Sequence, residues 1–316
     1  MRNGMIIHPD ELSRSWIDRL ASAGVNTLGI HPVGGKEATE SLRELVALCG
    51  TREFRELIDY ANERGLEVEY EIHAAGYLMP RELFSEHPEY FRENADGERV
   101  GDHNFCVSNP EALEYFAKRA VKLAEELYGS SSSYYFWMDD GREMHCHCRE
   151  CRKYTPSDQH LIAWNAALRE IKKHKPAARM AYLAYMDAIV PPVNVKPEPG
   201  VFLEYAPFYK HTSKGRENGA ELLAKERAMI EPLMHFFEGA EKKVLEYWYD
   251  NSLFSGHVKP PKKFTLNEQM LRSDVIEYRK MGFDRATTFA CYLGADYDEM
   301  FGAVDITPFA ECEWNG

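Results

Sequence analysis

Two adjacent carboxylates followed by three closely spaced cysteines are the residues of this sequence that most directly suggest chemistry. Asp139 and Asp140 close an apolar, strand-like run that begins at Tyr134. Carboxyl groups at a strand end can give and take protons while a bond is cleaved. A C-x-C-x-x-C motif follows within a few residues, and thiolates this close together can wrap one metal ion. Its members are Cys146, Cys148 and Cys151.

The cysteine motif supplies three of the four ligands that a structural zinc ion takes. The candidates for the fourth ligand are Cys106, His103, His145 and His147. We favour Cys106, because it ends an insertion and precedes the helix that leads back to the motif. The chain has seven cysteines, an odd number, and disulfide scaffolds usually spread their cysteines more evenly. We therefore expect a zinc site in a reducing compartment, with free thiols or a disulfide as the alternative.

Short apolar runs alternate along the chain with amphipathic, helix-like segments. The predicted strands are Met5–His8, Asn26–His31, Glu67–His73, Tyr134–Asp139, Arg179–Met186, Val201–Ala206, Lys243–Tyr249 and Ala286–Tyr292. The predicted helices are Pro9–Ala23, Ser41–Arg64, Pro110–Leu127, Asp158–Lys173, Ala220–Gly239 and Leu266–Met281. Alternating elements predict parallel strands joined by helical crossovers, and eight strands in this length predict an α/β fold, the (β/α)8 TIM barrel.

Two long connections interrupt the alternation. One covers Ala74–Cys106 after strand three, and the other is the proline-rich stretch Pro191–Gly200 between strands five and six. Neither has the composition of a linker between domains, and no internal repeat divides the chain. We expect residues 1–316 to form one barrel domain with long loops after strands three and five.

Chemistry in such barrels takes place where the strands end and the following loops begin. Asp139 and Asp140 close strand four, but only one of them can face the barrel axis, and the other can cap the turn. Glu204 and Glu246 each interrupt an apolar strand. A buried carboxylate is costly unless it is paired or hydrogen-bonded. These two glutamates are therefore either catalytic or members of a structural ion pair.

Histidines and aromatic residues gather at the same strand ends. Sugar rings have apolar C–H faces that stack on aromatic planes, while their hydroxyl groups take polar partners. This mixture predicts a carbohydrate substrate, although many protein cores contain as many aromatic residues. The predicted substrate-binding residues are His31, His73, Trp137, Tyr205, Trp248, Tyr249, Asp250 and Tyr292.

Composition excludes several other classes of partner. The net charge is −13, whereas nucleic acids and anionic membranes require a basic face. No apolar run reaches 18 residues, and the N-terminus lacks the layout of a signal peptide. We expect a soluble cytoplasmic protein without a nucleic-acid or membrane partner, and the sequence leaves homo-oligomer formation open.

The carboxylate at the end of strand four, the C-x-C-x-x-C motif and the upstream cysteine resemble the family 42 β-galactosidases among the glycoside hydrolases. That resemblance implies a zinc ion held by Cys106, Cys146, Cys148 and Cys151. It also implies that Asp140 occupies the acid/base position and Glu246 the nucleophile position. The stretch from His87 to Glu111 further resembles uncharacterised barrel proteins related to α-glucuronidases and β-hexosaminidases, which carry the same cysteine cluster.

One departure from that family concerns the catalytic carboxylates. The β-galactosidases have Asn-Glu at the end of strand four, and this chain has Asp139-Asp140. Aspartate is one methylene group shorter than glutamate, so the substrate or the separation of the two carboxyl groups must differ. The resemblance still implies cleavage of a glycoside by two carboxyl groups. Glu204 and Asp250 are the reserves for the second group.

Two other functions fit the same barrel. The first is a metal-dependent hydrolase or isomerase with His8, His31 and His73 as ligands. The sequence lacks the H-x-H motif on strand one that a metal-dependent amidohydrolase would show. The second is a catalytically silent barrel that binds a sugar or a protein.

Overall fold

Eight parallel strands form a closed barrel in a computed structural model of the protein, which describes residues 1–212, 214, 218–312 and 314. Each strand pairs with the next in the sequence, and the last pairs with the first. The predicted (β/α)8 fold is confirmed. The strands are β1 (Arg2–Ile7), β2 (Thr27–Ile30), β3 (Glu67–His73), β4 (Ser133–Trp137), β5 (Arg179–Ala184), β6 (Val201–Tyr205), β7 (Lys242–Glu246) and β8 (Arg285–Phe289).

Helices surround the barrel and connect most of its strands. They are α1 (Arg14–Ser22), α2 (Ala38–Cys49), α3 (Arg52–Glu63), α4 (Ala75–Leu78), α5 (Pro110–Glu126), α6 (Pro156–Lys172), α7 (Phe208–Thr212), α8 (Gly219–Ala228), α9 (Ile230–Phe236), α10 (Asn251–Phe254), α11 (Glu268–Met281), α12 (Ala295–Phe301) and α13 (Thr307–Ala310). Short 3-10 turns cover Pro9–Glu11, Gly35–Glu37, Arg81–Ser85, Pro88–Tyr90, Cys151–Lys153 and Met186–Ile189. No helix in the described part of the chain is long and apolar enough to cross a membrane.

All eight predicted strands are present, but seven end one to three residues earlier than predicted. The chain stays apolar past these points but leaves the hydrogen-bonded ladder, because each strand must turn into its own loop. The largest shortenings are in β7, which ends at Glu246 rather than Tyr249, and in β8, which ends at Phe289 rather than Tyr292. The side chains after Glu246 therefore do not follow the simple alternation of a strand.

Two predicted helices are each divided into two α-helices. The segment Ala220–Gly239 forms α8 and α9. The segment Ser41–Arg64 forms α2 and α3, separated at Gly50, because the Thr51 side chain accepts a hydrogen bond from Phe54 N and caps a new helix. The predicted caps of α5 are confirmed, with Asn109 accepting from two backbone N–H groups and Pro110 in the first turn. These caps fix where α5 begins, and α5 leads the chain into β4.

The two predicted long loops are present, after β3 and after β5. The first, between β3 and α5, contains α4 and two 3-10 turns. The second joins β5 to β6 through a 3-10 turn without an α-helix. Proline removes backbone donors and fixes its own φ angle, so the stretch Pro191–Gly200 cannot continue as a helix.

The barrel interior has a charged lower part and an aromatic upper part. Lys243 and Arg285, near the starts of β7 and β8, form ion pairs with interior glutamates. Trp137 and Phe289 are the last residues of β4 and β8, at the end of the barrel opposite to Lys243 and Arg285. This aromatic upper part forms the floor of a cavity at the strand ends.

Candidate active site

A cavity of about 520 Å³ opens where the barrel strands end. Residues from the ends of β1, β2, β3, β4 and β7 line it together with residues of the following loops. Six of the predicted site residues meet there: His31, His73, Trp137, Asp140, Asp250 and Tyr292. Pockets of this size and position are the usual place for small ligands in such barrels.

Asp140 projects into the cavity from the loop after β4. The Tyr185 hydroxyl group donates a hydrogen bond to Asp140 Oδ1 over 3.2 Å. Burial raises the pKa of Tyr185 well above its usual value, so this tyrosine stays protonated and donates. This hydrogen bond holds Asp140 Oδ1 at the cavity wall.

Asp250 enters the same cavity from the loop after β7. Its Oδ1 atom accepts hydrogen bonds from the backbone N–H groups of Ser252 and Leu253 and from the Ser252 hydroxyl group. Burial raises the pKa of Asp250, and those hydrogen bonds only partly oppose the shift. Asp250 therefore caps α10 with one oxygen, and its burial favours the protonated form.

Tyr247 connects the two aspartates electrostatically. Its pKa is raised well above the usual value, first by burial and then by the charges of Asp250 and Asp140. Because both carboxylates raise the pKa of the same hydroxyl group, they belong to one site. The arrangement brings carboxyl groups from β4 and β7 to a common space.

Trp137 forms part of the cavity floor. Its Nε1 atom donates a 2.8 Å hydrogen bond to Glu204 Oε2 below it. The rings of His31 and His73 lie 5.5 Å and 5.1 Å from the Trp137 ring, measured between centroids. Glu204 is fully buried beneath the floor and does not line the cavity, so its direct effect is to hold the indole.

Glu246 does not line the cavity, although the family resemblance implied that it occupies the nucleophile position. Its side chain points out of the barrel toward α7 and α11, where Lys210 Nζ lies 2.7 Å and His211 Nε2 2.6 Å from its carboxylate oxygens. The Tyr278 hydroxyl group donates to it over 2.5 Å. Lys243 and Leu245 point inward, so Glu246, one residue further along β7, must point outward.

Three predicted aromatic residues also lie outside the cavity. Tyr205 packs 6.2 Å from Phe283, between the barrel and the helices. Trp248 donates from Nε1 to Asp274 on α11 over 2.8 Å. Tyr249 donates to the carbonyl of Asp305. These side chains fill the layer between the strands and the helices, so the fold does not bring them to the cavity.

Asp139 joins two loops and does not reach the main cavity. Its carboxylate pairs with Arg81 and accepts a hydrogen bond from Asn104 N. Asn104 Oδ1 accepts from Asp139 N over 3.0 Å in return. Asp139 thus attaches the β4 loop to the insertion after β3, which leaves Asp140 as the member of the pair that lines the site.

The four predicted cysteines form one buried cluster. Their Sγ atoms all lie within 4.8 Å of one another, and Cys106 Sγ is 3.6 Å from that of Cys148 and 3.7 Å from that of Cys151. A tetrahedral zinc ion with bonds of about 2.3 Å to sulfur requires sulfur–sulfur distances of about 3.8 Å. Glu93 N also donates to Cys146 Sγ over 3.3 Å, an arrangement that suits a thiolate. The donor set and its spacing fit zinc.

The cavity histidines are arranged differently from a metal site. Within the described residues, the cysteine cluster is the one group of three or more such side chains close enough to hold an ion. The rings of His8, His31 and His73 follow one another at 6.1 Å intervals. They form a row along the cavity wall rather than a convergent set, which does not favour the metal-dependent alternative.

Tyr185 and Phe208 are among the cavity residues that the sequence analysis missed. Tyr185 follows β5 and binds Asp140, and Phe208 begins α7 and lines the wall. Tyr185 could have been found as a polar aromatic residue at a strand end. Phe208 could not, because its approach depends on how α7 is anchored.

The fold is shared with glycoside hydrolases of known structure. A β-galactosidase from the psychrophilic Marinomonas ef1 aligns over 91% of this chain and 54% of its own, with 12% identity and a TM-score of 0.55. A family 5 enzyme from Prevotella bryantii B14 aligns over 96% and 86%, with 12% identity and a TM-score of 0.51. Endo-glycoceramidase II from Rhodococcus sp. aligns over 92% and 72%, with 10% identity and a TM-score of 0.53. Identities this low show a common barrel fold.

Length separates this chain from some of those enzymes. It spans about half of the β-galactosidases from Marinomonas ef1 and Rahnella sp. R3. No curated protein sequence matches the chain. Residues 47–228 match the family model described as "Domain of unknown function (DUF4838)". Because this match covers more than half of the sequence, the chain belongs to the DUF4838 family.

Proposed function

We propose that this protein is a glycoside hydrolase whose working carboxyl groups are Asp140 and Asp250. The observation that carries the proposal is the cavity at the strand ends, where both aspartates meet an aromatic floor. Glycoside cleavage needs two carboxyl groups, one to protonate the leaving oxygen and one to attack the sugar or activate water. The shared fold with glycoside hydrolases supports this reading.

The environments of the two aspartates suggest different roles. Asp250, whose pKa is raised by burial, is suited to give its proton to the leaving oxygen. Asp140, which accepts a hydrogen bond from Tyr185, is suited to act as the nucleophile or as the base toward water. The resemblance to β-galactosidases implied the opposite assignment for Asp140, and the departure from Asn-Glu in that family is consistent with the exchange.

We also propose that the cysteine cluster holds one structural zinc ion. Four thiolates would fill its coordination sphere and leave no position for a substrate. Within the chain, Gln159 braces this loop by donating to the carbonyls of Cys146 and Cys151. The role of the cluster is to hold the β4 loop that carries Asp140.

Asp140→Asn and Asp250→Asn test the catalytic pair on a panel of 4-nitrophenyl glycosides. Each substitution keeps the size of the side chain and removes its charge, so the fold should persist while turnover falls about 100-fold or more. Dinitrophenyl glycosides need little help from an acid. Asp250→Asn should recover most of its first-step rate on them, and Asp140→Asn should not.

The matched control is Asp96→Asn, an exposed aspartate in the loop after β3, which should leave the rate unchanged. Equal activity of all three variants would show that the pair is wrongly chosen. If the wild-type protein cleaves no glycoside on the panel but binds sugars, the silent-barrel alternative replaces the proposal.

A further inference from the structure

Three histidines form a continuous row along one wall of the cavity. His8, His31 and His73 follow β1, β2 and the end of β3, and neighbouring rings are 6.1 Å apart between centroids. Each Nδ1 atom contacts a backbone carbonyl of the next strand region around the barrel. The distances are 2.7 Å from His8 to the His31 carbonyl, 2.6 Å from His31 to that of Glu71, and 2.7 Å from His73 to that of Met138.

These contacts fix the proton on each ring. A carbonyl oxygen can only accept a hydrogen bond, so each Nδ1 must carry the hydrogen and donate it. In the neutral ring the other nitrogen, Nε2, then carries a lone pair. Among the described residues, none is hydrogen-bonded to an Nε2 atom of the row.

The Nε2 atoms of His31 and His73 are directed to the cavity side. They lie 3.7 Å and 3.8 Å from the position that a Cβ atom would take at Gly34, which itself lines the cavity. A Cβ atom there would be in van der Waals contact with both nitrogens. The glycine therefore keeps the approach to the two acceptors open.

The central ring is also held neutral. Burial lowers the pKa of His31 well below its ordinary value, and its neighbours His73 and His8 lower it further. Protonation would place a charge between two other imidazoles in an enclosed wall. The middle of the row is thus an acceptor rather than a donor at neutral pH.

The described cavity lining contains no lysine or arginine, but it does contain Asp140, Asp250 and Glu37. Two cations near the cavity are already paired: Arg81 binds Asp139, and Lys259 at the rim lies 3.1 Å from Asp296. A carboxylate or phosphate on a ligand would meet acceptors and like charges here, without a lysine or arginine in the described lining to pair with.

We infer that His8, His31 and His73 form a subsite that accepts hydrogen bonds from the hydroxyl groups of an uncharged sugar, and that sugar acids and sugar phosphates are disfavoured. The inference rests on the proposed function, because it assigns the substrate class of the same cavity. Burying an acceptor row without donors would be costly, and hydroxyl groups supply those donors.

Binding of free monosaccharides tests the inference without any bond being cleaved. Glucose, galactose and N-acetylglucosamine would be compared with glucuronic and galacturonic acid by calorimetry at pH 8, where ordinary histidines are neutral. We expect one of the uncharged sugars to bind at least about tenfold more tightly than either acid, since a like-charge contact costs more than one hydrogen bond contributes. Equal or tighter binding of an acid, or no binding of any uncharged sugar, would overturn the inference.

Fluorinated sugars test the direction of the hydrogen bonds on the wild-type protein. Replacing a hydroxyl group by fluorine removes its donor, and replacing it by hydrogen removes donor and acceptor together. At positions bound by the row, both replacements should weaken binding equally, by about fivefold for one neutral hydrogen bond. If the fluorinated sugars keep full affinity at every ring position, the histidines do not act as acceptors.

His73 allows a paired substitution. Asparagine can still donate to the Met138 carbonyl but removes the acceptor at the Nε2 position, whereas glutamine can place an amide oxygen there. His73→Asn should weaken sugar binding more than His73→Gln, and His87→Asn at an exposed site should change nothing. Cleavage of a glucuronide that depends on Asp140 and Asp250 would refute the inference and leave the proposed hydrolase intact.

Discussion

At the scale of single residues, a buried glutamate in an apolar strand can serve chemistry or structure. For Glu246 we expect the structural role, because Lys210 and His211 of α7 surround its carboxylate. Burial alone would raise the pKa of Glu246, but these two neighbours hold it at about 2, below the usual 4.5. Its ion pair anchors α7, whose first residue, Phe208, lines the cavity.

Glu246→Gln should therefore destabilise the protein at pH 7 without abolishing turnover. Removing one partner of a buried ion pair costs about 3 kcal/mol in the free energy of unfolding. A carboxyl group with a lowered pKa stabilises the fold above its unfolded pKa and loses that effect as the pH falls. The difference in the free energy of unfolding between wild type and variant should shrink as the pH falls from 4.5 to 2.

Urea unfolding across this pH range measures the effect, with kinetics at pH 7 beside it. Glu277→Gln changes an exposed glutamate on α11 and is the control. A fall in kcat of the size expected for Asp140→Asn, with unchanged stability, would return Glu246 to a catalytic role.

At the scale of elements, the loop after β4 depends on attachments from outside itself. Asp139 pairs with Arg81, and His147 N donates to the carbonyl of Glu93, so the insertion after β3 holds this loop at two points. The cysteine cluster adds a third attachment through Cys106. The position of Asp140 is therefore set by the assembly of two loops.

Cys148→Ser should remove the metal and loosen both loops while the barrel stays folded. Wild-type protein purified without added metal should contain one zinc ion per chain, and the variant well below half of that. Hydrogen exchange should rise in residues 90–106 and 139–151 and stay unchanged in the strands. Cys312→Ser, a buried cysteine outside the cluster, should keep its zinc.

A metal-free wild type with all thiols reactive in the native state would contradict the zinc proposal. Loss of zinc with unchanged exchange in both loops would leave the metal site in place but remove its bracing role.

At the scale of the whole molecule, an ion network closes the lower part of the barrel. Lys243 Nζ lies 2.6 Å from Glu71, 3.0 Å from Glu204 and 3.4 Å from Glu69, all without solvent exposure. Burial raises the pKa of Glu71 well above its usual value, and the charge of Lys243 opposes that shift. Arg285 pairs with Glu69, so two cations face three buried carboxyl groups.

Lys243→Met should be among the most destabilising substitutions in the chain. It leaves three buried carboxyl groups with a single cation, which costs roughly 3–5 kcal/mol in the free energy of unfolding. The side chain of Lys242, at the neighbouring position on β7, donates to the carbonyl of Ala240. Lys242→Met should therefore cost far less. Equal losses in thermal or urea unfolding would mean that the network does not stabilise the fold.

The sequence by itself determined the barrel, the long loops and the four cysteines. Alternation of apolar strands with amphipathic helices is a local property, and it sufficed to predict the fold. The cysteine spacing supplied three members of the cluster, and the position of Cys106 before α5 supplied the fourth. Asp140 and the histidines could also be predicted from the sequence, because strand ends meet at one face of a barrel.

Only the tertiary structure decided which strand-end side chains face the cavity. Strands such as β7 are shorter than their apolar runs, so the orientation of Trp248 and Tyr249 could not be obtained by counting alternate residues. The outward direction of Glu246 became visible only with Lys210 and His211 beside it, brought there by α7. Side-chain direction depends on where the ladder ends and on which helix packs outside it, and both are set by contacts distant in the sequence.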